Sequence, residues 1–465
     1  CFGAIDYSEK RGDSLNQLIN GLEADLVGSR CPSNTIKFLE NLPIDLIQIL
    51  NKIATNNGGV WIVGGAVRDW LIGHTPEDID LAVSFTPEQM LELFPDAILT
   101  GEDFGTISLR GEKCFYQATT LRSDGTYLDG RRPENVFWGS SLKEDLERRD
   151  FTINAMAIDA SRVLLYDPHN GRNDISRGII RAVGNAYQRL SEDGLRIMRA
   201  YRFSDRKDKG VWELENSLEV SISQQKHMLD NISRERILIE WKKILSGQNS
   251  SQIIQKMALM GVLDRFLIGK WDEKFSIFEA LKKDLSIFSG LEKFALMLSE
   301  NTNQEVVSIC KELKMSKVER NHVVSIHKRF GHIPELNKQS IRKFRYILQD
   351  FTIKHLTFEK IIIDSNISIE GINKPKYDNI VIEEILESLE RIEKQKTQDE
   401  PLADGNWIMI QTGLPKGEKL GRLKAWLHTI QIERDLVNLS QIEKVLSTLS
   451  WNNDDFKNWP ELKFP

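Results

Sequence analysis

Val60-Trp61-Ile62-Val63-Gly64-Gly65-Ala66-Val67-Arg68-Asp69, followed by Asp78-Ile79-Asp80-Leu81-Ala82-Val83, is the stretch whose reading decides the fold of this chain. Its apolar start reads as a short buried strand. Gly64 and Gly65 end that strand in a tight turn whose backbone N–H groups can approach an anion closely, and Val67 to Leu71 carry the apolar spacing of a helix beginning there. A turn at a positive helix N-terminus suits phosphate, and Arg68 adds fixed charge. Asp78 to Val83 alternate as a strand does, which predicts that Asp78 and Asp80 share one face about 7 Å apart. Two hard oxygen ligands at that spacing suit Mg²⁺ held jointly with phosphates. A Gly-Gly turn or an Asp-x-Asp strand alone is ordinary; in this order they specify chemistry on a nucleotide.

A second pattern lies at Glu192-Asp193-Gly194-Leu195-Arg196. Read as one amphipathic helix from Glu192 to Phe203, it puts Asp193 and Arg196 at i and i+3 on a single face. Cytosine and adenine present an exocyclic amino donor beside a ring-nitrogen acceptor, whereas uracil and guanine present a carbonyl beside an N–H. A carboxylate next to a guanidinium therefore accepts C or A and refuses U or G. On an isolated helix the same pair is an ordinary intrahelical ion pair. Arg199 and Arg202 follow on the same helix, where so many like charges repel one another unless an anion or solvent separates them.

The chain has 465 residues and a formal net charge of −6, long enough for several cores and too acidic for a globally basic nucleic-acid binder. Any RNA contact is then expected from a local basic surface. Cys1, Cys31, Cys114 and Cys310 lack metal-type spacing, which reads as reduced thiols of a cytoplasmic protein. No apolar run is long enough to cross a bilayer, so no membrane partner is expected, and no signal-peptide pattern opens the chain.

The ordered set of the glycine turn, Asp78-Ile79-Asp80-Leu81, Arg148-Arg149-Asp150-Phe151-Thr152-Ile153-Asn154-Ala155 and Glu192-Asp193-Gly194-Leu195-Arg196 resembles the class II tRNA nucleotidyltransferases, the CCA-adding enzymes of the poly(A) polymerase and DNA polymerase β-like superfamily. The likeness is dense from about Ile53 to Gly247 and returns at Gly413-Leu414-Pro415-Lys416-Gly417. It implies an N-terminal polymerase β-like α/β nucleotidyltransferase head followed by all-α neck, body and tail domains. It also implies addition of CCA, or part of it, to the tRNA 3′ end from CTP and ATP. In that reading Asp78 and Asp80 are catalytic and hold two Mg²⁺ ions, and Asp193 and Arg196 are the amino-acid template. Gly64, Gly65, Arg68, Arg149, Arg199 and Arg202 bind the nucleotide, Asp150 and Asn154 brace the site, and the acceptor–TΨC region of tRNA is the partner. Enzymes that add only CC or only A share every motif named; a poly(A) polymerase is a more distant alternative, and an inactive RNA-binding relative the most distant.

One position departs from the family pattern. A Glu precedes the Thr-Thr-Leu-Arg that here spans Thr119 to Arg122, and this chain has Gln117 in its place. An amide can orient a hydroxyl, but it cannot accept the proton or bind Mg²⁺ as a carboxylate does. Either two aspartates and the metals suffice, with water, Asp124 or Asp129 taking the proton, or Gln117 is an inactivating change.

Near Asp174 the pattern passes from β-type runs such as Gly105 to Leu109 and Phe115 to Leu121, alternating with helices, to helices throughout. The expected division is an N-terminal extension of unknown role at 1–47, the head at 48–175, the neck at 176–247, a helical body at 248–350 and a tRNA-binding tail at 351–465. Ser233 is expected to cap a helix starting at Arg234, and Arg391 to Glu400, closed by Pro401, reads as a helix end and linker. His322 and His327 have no partner at ligand spacing and read as surface or packing residues, and Trp407, Trp426 and Trp451 as core. Lys416, Lys419, Arg422 and Lys424 suit either a tRNA backbone or a solvated face.

Overall fold

The computed structural model describes residues 15–101, 105–124, 136–139, 141–369, 377–393, 395–453 and 455–464. It divides into two compact units, Cys1–Asp272 and Glu273–Pro465.

The head in the first unit is built on an eight-stranded sheet among the described residues. Its order is Ser29–Arg30, Leu164–Tyr166, Ala157–Asp159, Val60–Val63, Asp80–Val83, Phe115–Thr120, Thr106–Arg110 and Ile98–Gly101. Neighbours run antiparallel except Asp80–Val83 with Phe115–Thr120, which are parallel. Asp80 thus lies at the middle of the sheet, paired with Val63 on one side and Gln117 on the other. Because Val63 is the last strand residue before the Gly64 turn, this register brings the turn beside Asp80. It also shortens the expected strand: pairing starts at Asp80, and Asp78 stands in the segment before it, since Val63's strand has no residue left to pair with Ile79 or Asp78. The in-out alternation survives, with Ile79 buried and Asp78 exposed.

Residues 15–47 belong to this head. Ser29–Arg30 forms the sheet edge, and Leu39, Leu42 and Leu46 join Leu50, Ile53, Val67, Trp70, Leu81 and Tyr116 in one core. Helix Ile44–Thr55 supplies Leu46, Ile47, Leu50, Ile53 and Ala54 at helical spacing. Each of these leucine and isoleucine side chains taken from water contributes about 1.5–3 kcal/mol, which anchors the sheet that carries the site.

Residues 176–247 are mainly helical, with a two-residue parallel pairing of Ile179–Ile180 with Glu213–Leu214. Where one helix from Glu192 to Phe203 is expected, there are two, Ala186–Glu192 and Leu195–Ser204, with Asp193 extended between them at φ −150°, ψ 106°. Gly194 permits this break by its size: a Cβ there would stand 2.7 Å from the carbonyl oxygen of Met228. Ser233 sits at the N-cap of helix Arg234–Leu245, but its side chain makes no capping bond. Helix Ser250–Leu259 packs on Leu195–Ser204 and stays within the first unit.

The second unit is helical. Among the described residues, three of its helices open with Ser/Thr-x-x-Glu boxes, Ser289 with Glu292, Thr302 with Glu305 and Ser316 with Glu319, in which each partner satisfies the other's backbone N–H. Helices Gly405–Thr412, Glu418–Arg434 and Leu439–Leu446 close around Ile408, Leu423, Leu427 and Ile442, with Trp407, Trp426 and Trp451 packed against that core as expected. Helix Asn379–Arg391 ends where the charged stretch begins. His327 is a packing residue, its ring nitrogens 3.0 Å from Asn303 Oδ1 and 3.1 Å from the Leu298 carbonyl oxygen. No helix among the described residues is long and apolar enough to cross a membrane.

Candidate active site

A cavity of about 730 Å³ in the first unit is lined by Gly64, Gly65, Arg68, Asp78, Asp80, Gln117, Arg149, Asp193, Arg196, Arg199 and Arg202, so the residues expected to bind metal and nucleotide meet there together with Gln117. The glycine turn forms one wall. Gly64 has φ 70°, and a Cβ on it would lie 3.4 Å from Arg149 Nη1 and 4.0 Å from Asp80 Oδ2. Any side chain at that position would occupy the space between the arginine and the carboxylate, at the N-terminus of helix Gly65–Ile72.

Burial, and then the negative charge of Asp78, push the Asp80 carboxyl up to about 6, with Arg149 opposing. A crowded carboxylate pair of this kind is relieved by a cation. Among the described residues no three His, Cys, Asp or Glu side chains gather at one point. A metal here would take two carboxylates from the chain and fill its shell with phosphate and water, as Mg²⁺ does. Gln117 is turned to its neighbours: Nε2 donates to Ser108 Oγ at 2.8 Å, and the Thr100 hydroxyl donates to Oε1 at 3.2 Å. The Asp124 side chain and all of Asp129 lie outside the described residues.

Among the described residues, nine basic side chains line the cavity against four acidic ones. Buried acids hold several of them. Asp145 takes Arg148 at 2.5 Å on one oxygen and Arg149 at 2.9 Å on the other. Burial alone would raise the Asp145 carboxyl, but the two guanidinia hold it below its ordinary value. Asp150 pairs with Arg199 at 2.5 Å and accepts from Asn154 at 3.2 Å; against the cost of full burial, these partners and Arg196 hold it at about 2. Arg202 pairs with Glu240 at 2.5 Å, and Arg68 donates to Asn154 Oδ1 at 2.6 Å. The Phe203 ring is the hub of this cluster. Arg202, Arg199, Arg68 and Arg206 stand 4.0, 5.1, 5.2 and 5.6 Å from its centroid, so the face of one phenyl ring offsets part of the repulsion among four guanidinia. An array held open in this way is preorganised for a polyanion.

Asp193 and Arg196 meet in the cavity, but not as a pair on one helix face. Arg196 is held by Glu192 at 2.6 Å and by the carbonyls of Arg189 and Arg148 at 2.9 and 3.2 Å. Asp193 precedes the helix and pairs with Arg236 at 2.8 Å. Sequence spacing passed over Arg236, Arg122 and Lys243, which also line the cavity. Arg236 lies 43 residues beyond Asp193, and no local periodicity joins them.

Residues 60–181 match the poly(A) polymerase head domain, and residues 213–268 match a segment described as the probable RNA and SrmB-binding site of polymerase A. A CCA-adding enzyme of Listeria monocytogenes is 40% identical over 242 residues, which is 52% of this chain and 59% of that protein. The chain thus spans somewhat more than half the length of the Listeria relatives it matches. A CCA-adding enzyme of Lactococcus lactis is 28% identical over 421 residues, 88% of this chain and 100% of that protein. The fold is that of the CCA-adding enzyme structures. The Thermotoga maritima enzyme complexed with tRNA matches with a TM-score of 0.64 at 22% identity, over 91% of this chain and 100% of that one. The Bacillus stearothermophilus enzyme in complex with CTP matches with a TM-score of 0.59 at 23% identity, over 88% and 98%.

Proposed function

We propose that this chain, a member of the poly(A) polymerase superfamily by its head, is a tRNA nucleotidyltransferase that builds the 3′ CCA end from CTP and ATP. The observation that carries this reading is a single cavity in which the carboxylates Asp78 and Asp80 and the base-reading side chains Asp193 and Arg196 stand around one arginine array. The named activity of the Listeria and Lactococcus relatives supports it.

In this reading the triphosphate lies against the Gly64-Gly65 turn with Arg68, Arg149, Arg199 and Arg202. The base edge meets Asp193, which accepts its amino group, and Arg196, which donates to its ring nitrogen. Uracil and guanine would set a carbonyl against the Asp193 carboxylate, and that repulsion supplies the selectivity. The RNA 3′-oxygen attacks the α-phosphorus in line; the new O–P bond forms as the bond to pyrophosphate breaks, and no covalent intermediate with the protein is needed. Two Mg²⁺ ions bound at Asp78 and Asp80 would lower the pKa of the 3′-hydroxyl and neutralise charge on the triphosphate. The hydroxyl proton passes to water, since the Gln117 amide cannot receive it. The helices beyond the neck would grip the acceptor–TΨC half of tRNA, a role supported by the likeness to the Thermotoga enzyme complexed with tRNA.

The test is incubation with Mg²⁺, labelled CTP or ATP, and tRNAs ending at the discriminator base, at CC and at CCA. Extension of the first two and arrest at the third is the expected result. Extension by CC alone or A alone marks a partial enzyme, long A tails a poly(A) polymerase, and no incorporation refutes the reading.

A further inference from the structure

Neither oxygen of Asp193 is idle. Oδ1 accepts the Leu195 N–H at 3.0 Å, and Oδ2 accepts from Arg236 Nη2 at 2.8 Å. Arg196 is engaged elsewhere, by Glu192 at 2.6 Å, so it does not orient the carboxylate. Arg236 therefore holds Oδ2 of Asp193 from helix Arg234–Leu245. Its own guanidinium is left incomplete: Nη1 is buried without a hydrogen-bond partner, on a residue that lines the cavity. A buried donor left unsatisfied is destabilising, and an arriving acceptor relieves that cost.

We propose that Arg236 is a specificity-determining residue, holding Asp193 in the orientation that reads the amino group of cytosine or adenine and offering Nη1 to an acceptor on the bound nucleotide. The inference rests on the reading of Asp193 and Arg196 as the base-selecting pair. A carboxylate oxygen carries two lone pairs, so Oδ2 can accept from Arg236 and from a base amino group together. Leu195 N–H and Arg236 pin opposite ends of the carboxylate, which fixes its plane. Without Arg236 the carboxylate keeps its charge but loses one of the two bonds that set its direction. Selectivity should then suffer before turnover does.

The experiment measures kcat and KM for CTP, UTP, ATP and GTP on tRNA substrates with wild type, Arg236→Met, Arg236→Lys, Asp193→Ala and the Asp193→Ala/Arg236→Met double variant. Calorimetric CTP binding gives a readout independent of turnover. Arg236→Met should lower the preference for CTP over UTP about tenfold, mainly through KM, and weaken CTP binding to a similar degree. Arg236→Lys, which keeps one charged donor, should recover part of it. In the Asp193→Ala background Arg236→Met should cost no further selectivity, because the two act as a unit. Unchanged selectivity in Arg236→Met overturns the inference, as do losses that simply add in the double variant. If wild type is selective and Asp193→Ala is not, the proposed function stands whichever way Arg236 falls. A wild type that incorporates neither CTP nor ATP removes both.

Discussion

Asp80 and Gln117 are in-register partners on the only parallel strand pair among the described strands of the head sheet, so the more buried aspartate of the proposed metal site has an amide as its lateral neighbour. Gln117 is tied back to Ser108 and Thr100, and a glutamate could accept from the same hydroxyls. If two aspartates suffice, Gln117→Glu should change the rate constant of CMP addition by less than about tenfold while lowering the Mg²⁺ concentration needed for half-maximal rate, since an added charge attracts a cation. Single-turnover kinetics across a Mg²⁺ series decides this. An increase of several orders of magnitude would show that the native amide is an inactivating change.

Removing Asp78 separates catalysis from binding. Asp78→Ala should reduce nucleotide incorporation to background and leave tRNA affinity within about twofold, because the phosphate-facing cations are untouched. The same variant should lower the Asp80 carboxyl from about 6, as one of the two influences raising it is a neighbouring negative charge. Filter binding and a carboxyl ¹³C titration test the two halves. Full turnover in Asp78→Ala would remove Asp78 from the metal site.

What the sequence disclosed here follows from distance along the chain. The turn at Gly64 and Gly65 and the alternation about Asp80 are local, and both stand as read except that Asp78 lies outside the ladder. Spacing singles out Asp193 and Arg196, yet by itself it suggests a shared helix face that the break at Asp193 removes. The break falls beside Gly194, where the chain passes too close to the Met228 carbonyl to admit a side chain, an approach that no helical periodicity contains. Arg236 and the ring of guanidinia about Phe203 depend on packing between helices and stayed hidden for that reason. The first described residues, 15–47, matched no motif because they contribute core leucines and an edge strand, and such roles tolerate many sequences.

Gly194 offers a test of that break. A methyl group 2.7 Å from the Met228 carbonyl oxygen must move backbone, since that atom is not a flexible side-chain end. Gly194→Ala should destabilise the first unit by about 1–3 kcal/mol, in the range of overpacked sites. It should also displace Asp193, the adjacent residue, and raise UTP misincorporation. Chemical denaturation together with the UTP-to-CTP ratio measures both, and a variant as stable and as selective as wild type would show that the contact relaxes freely.

In the second unit, Glu359 is wholly buried; it accepts the Gly331 N–H at 3.1 Å on each oxygen and the Tyr377 hydroxyl at 2.6 Å. Burial pushes its carboxyl up to about 8, against the partial relief of those bonds. The folded state therefore keeps a proton that the unfolded chain releases near 4.5, and the stability this group contributes is complete below that value and lost as pH rises through about 8. His355, one turn earlier and fully buried, has the opposite sign: burial lowers it from 6.5 to about 4, so its contribution is present above 6.5 and lost as pH falls through about 4. The two oppose one another between about 4.5 and 6.5, and only the Glu359 loss remains between about 6.5 and 8. Thermal midpoints should accordingly fall across that upper interval. Glu359→Gln, which cannot titrate, should flatten the fall relative to wild type while leaving the lower interval steeper. Matching slopes in the two proteins between pH 6.5 and 8 would mean that Glu359 is ionised in the folded state.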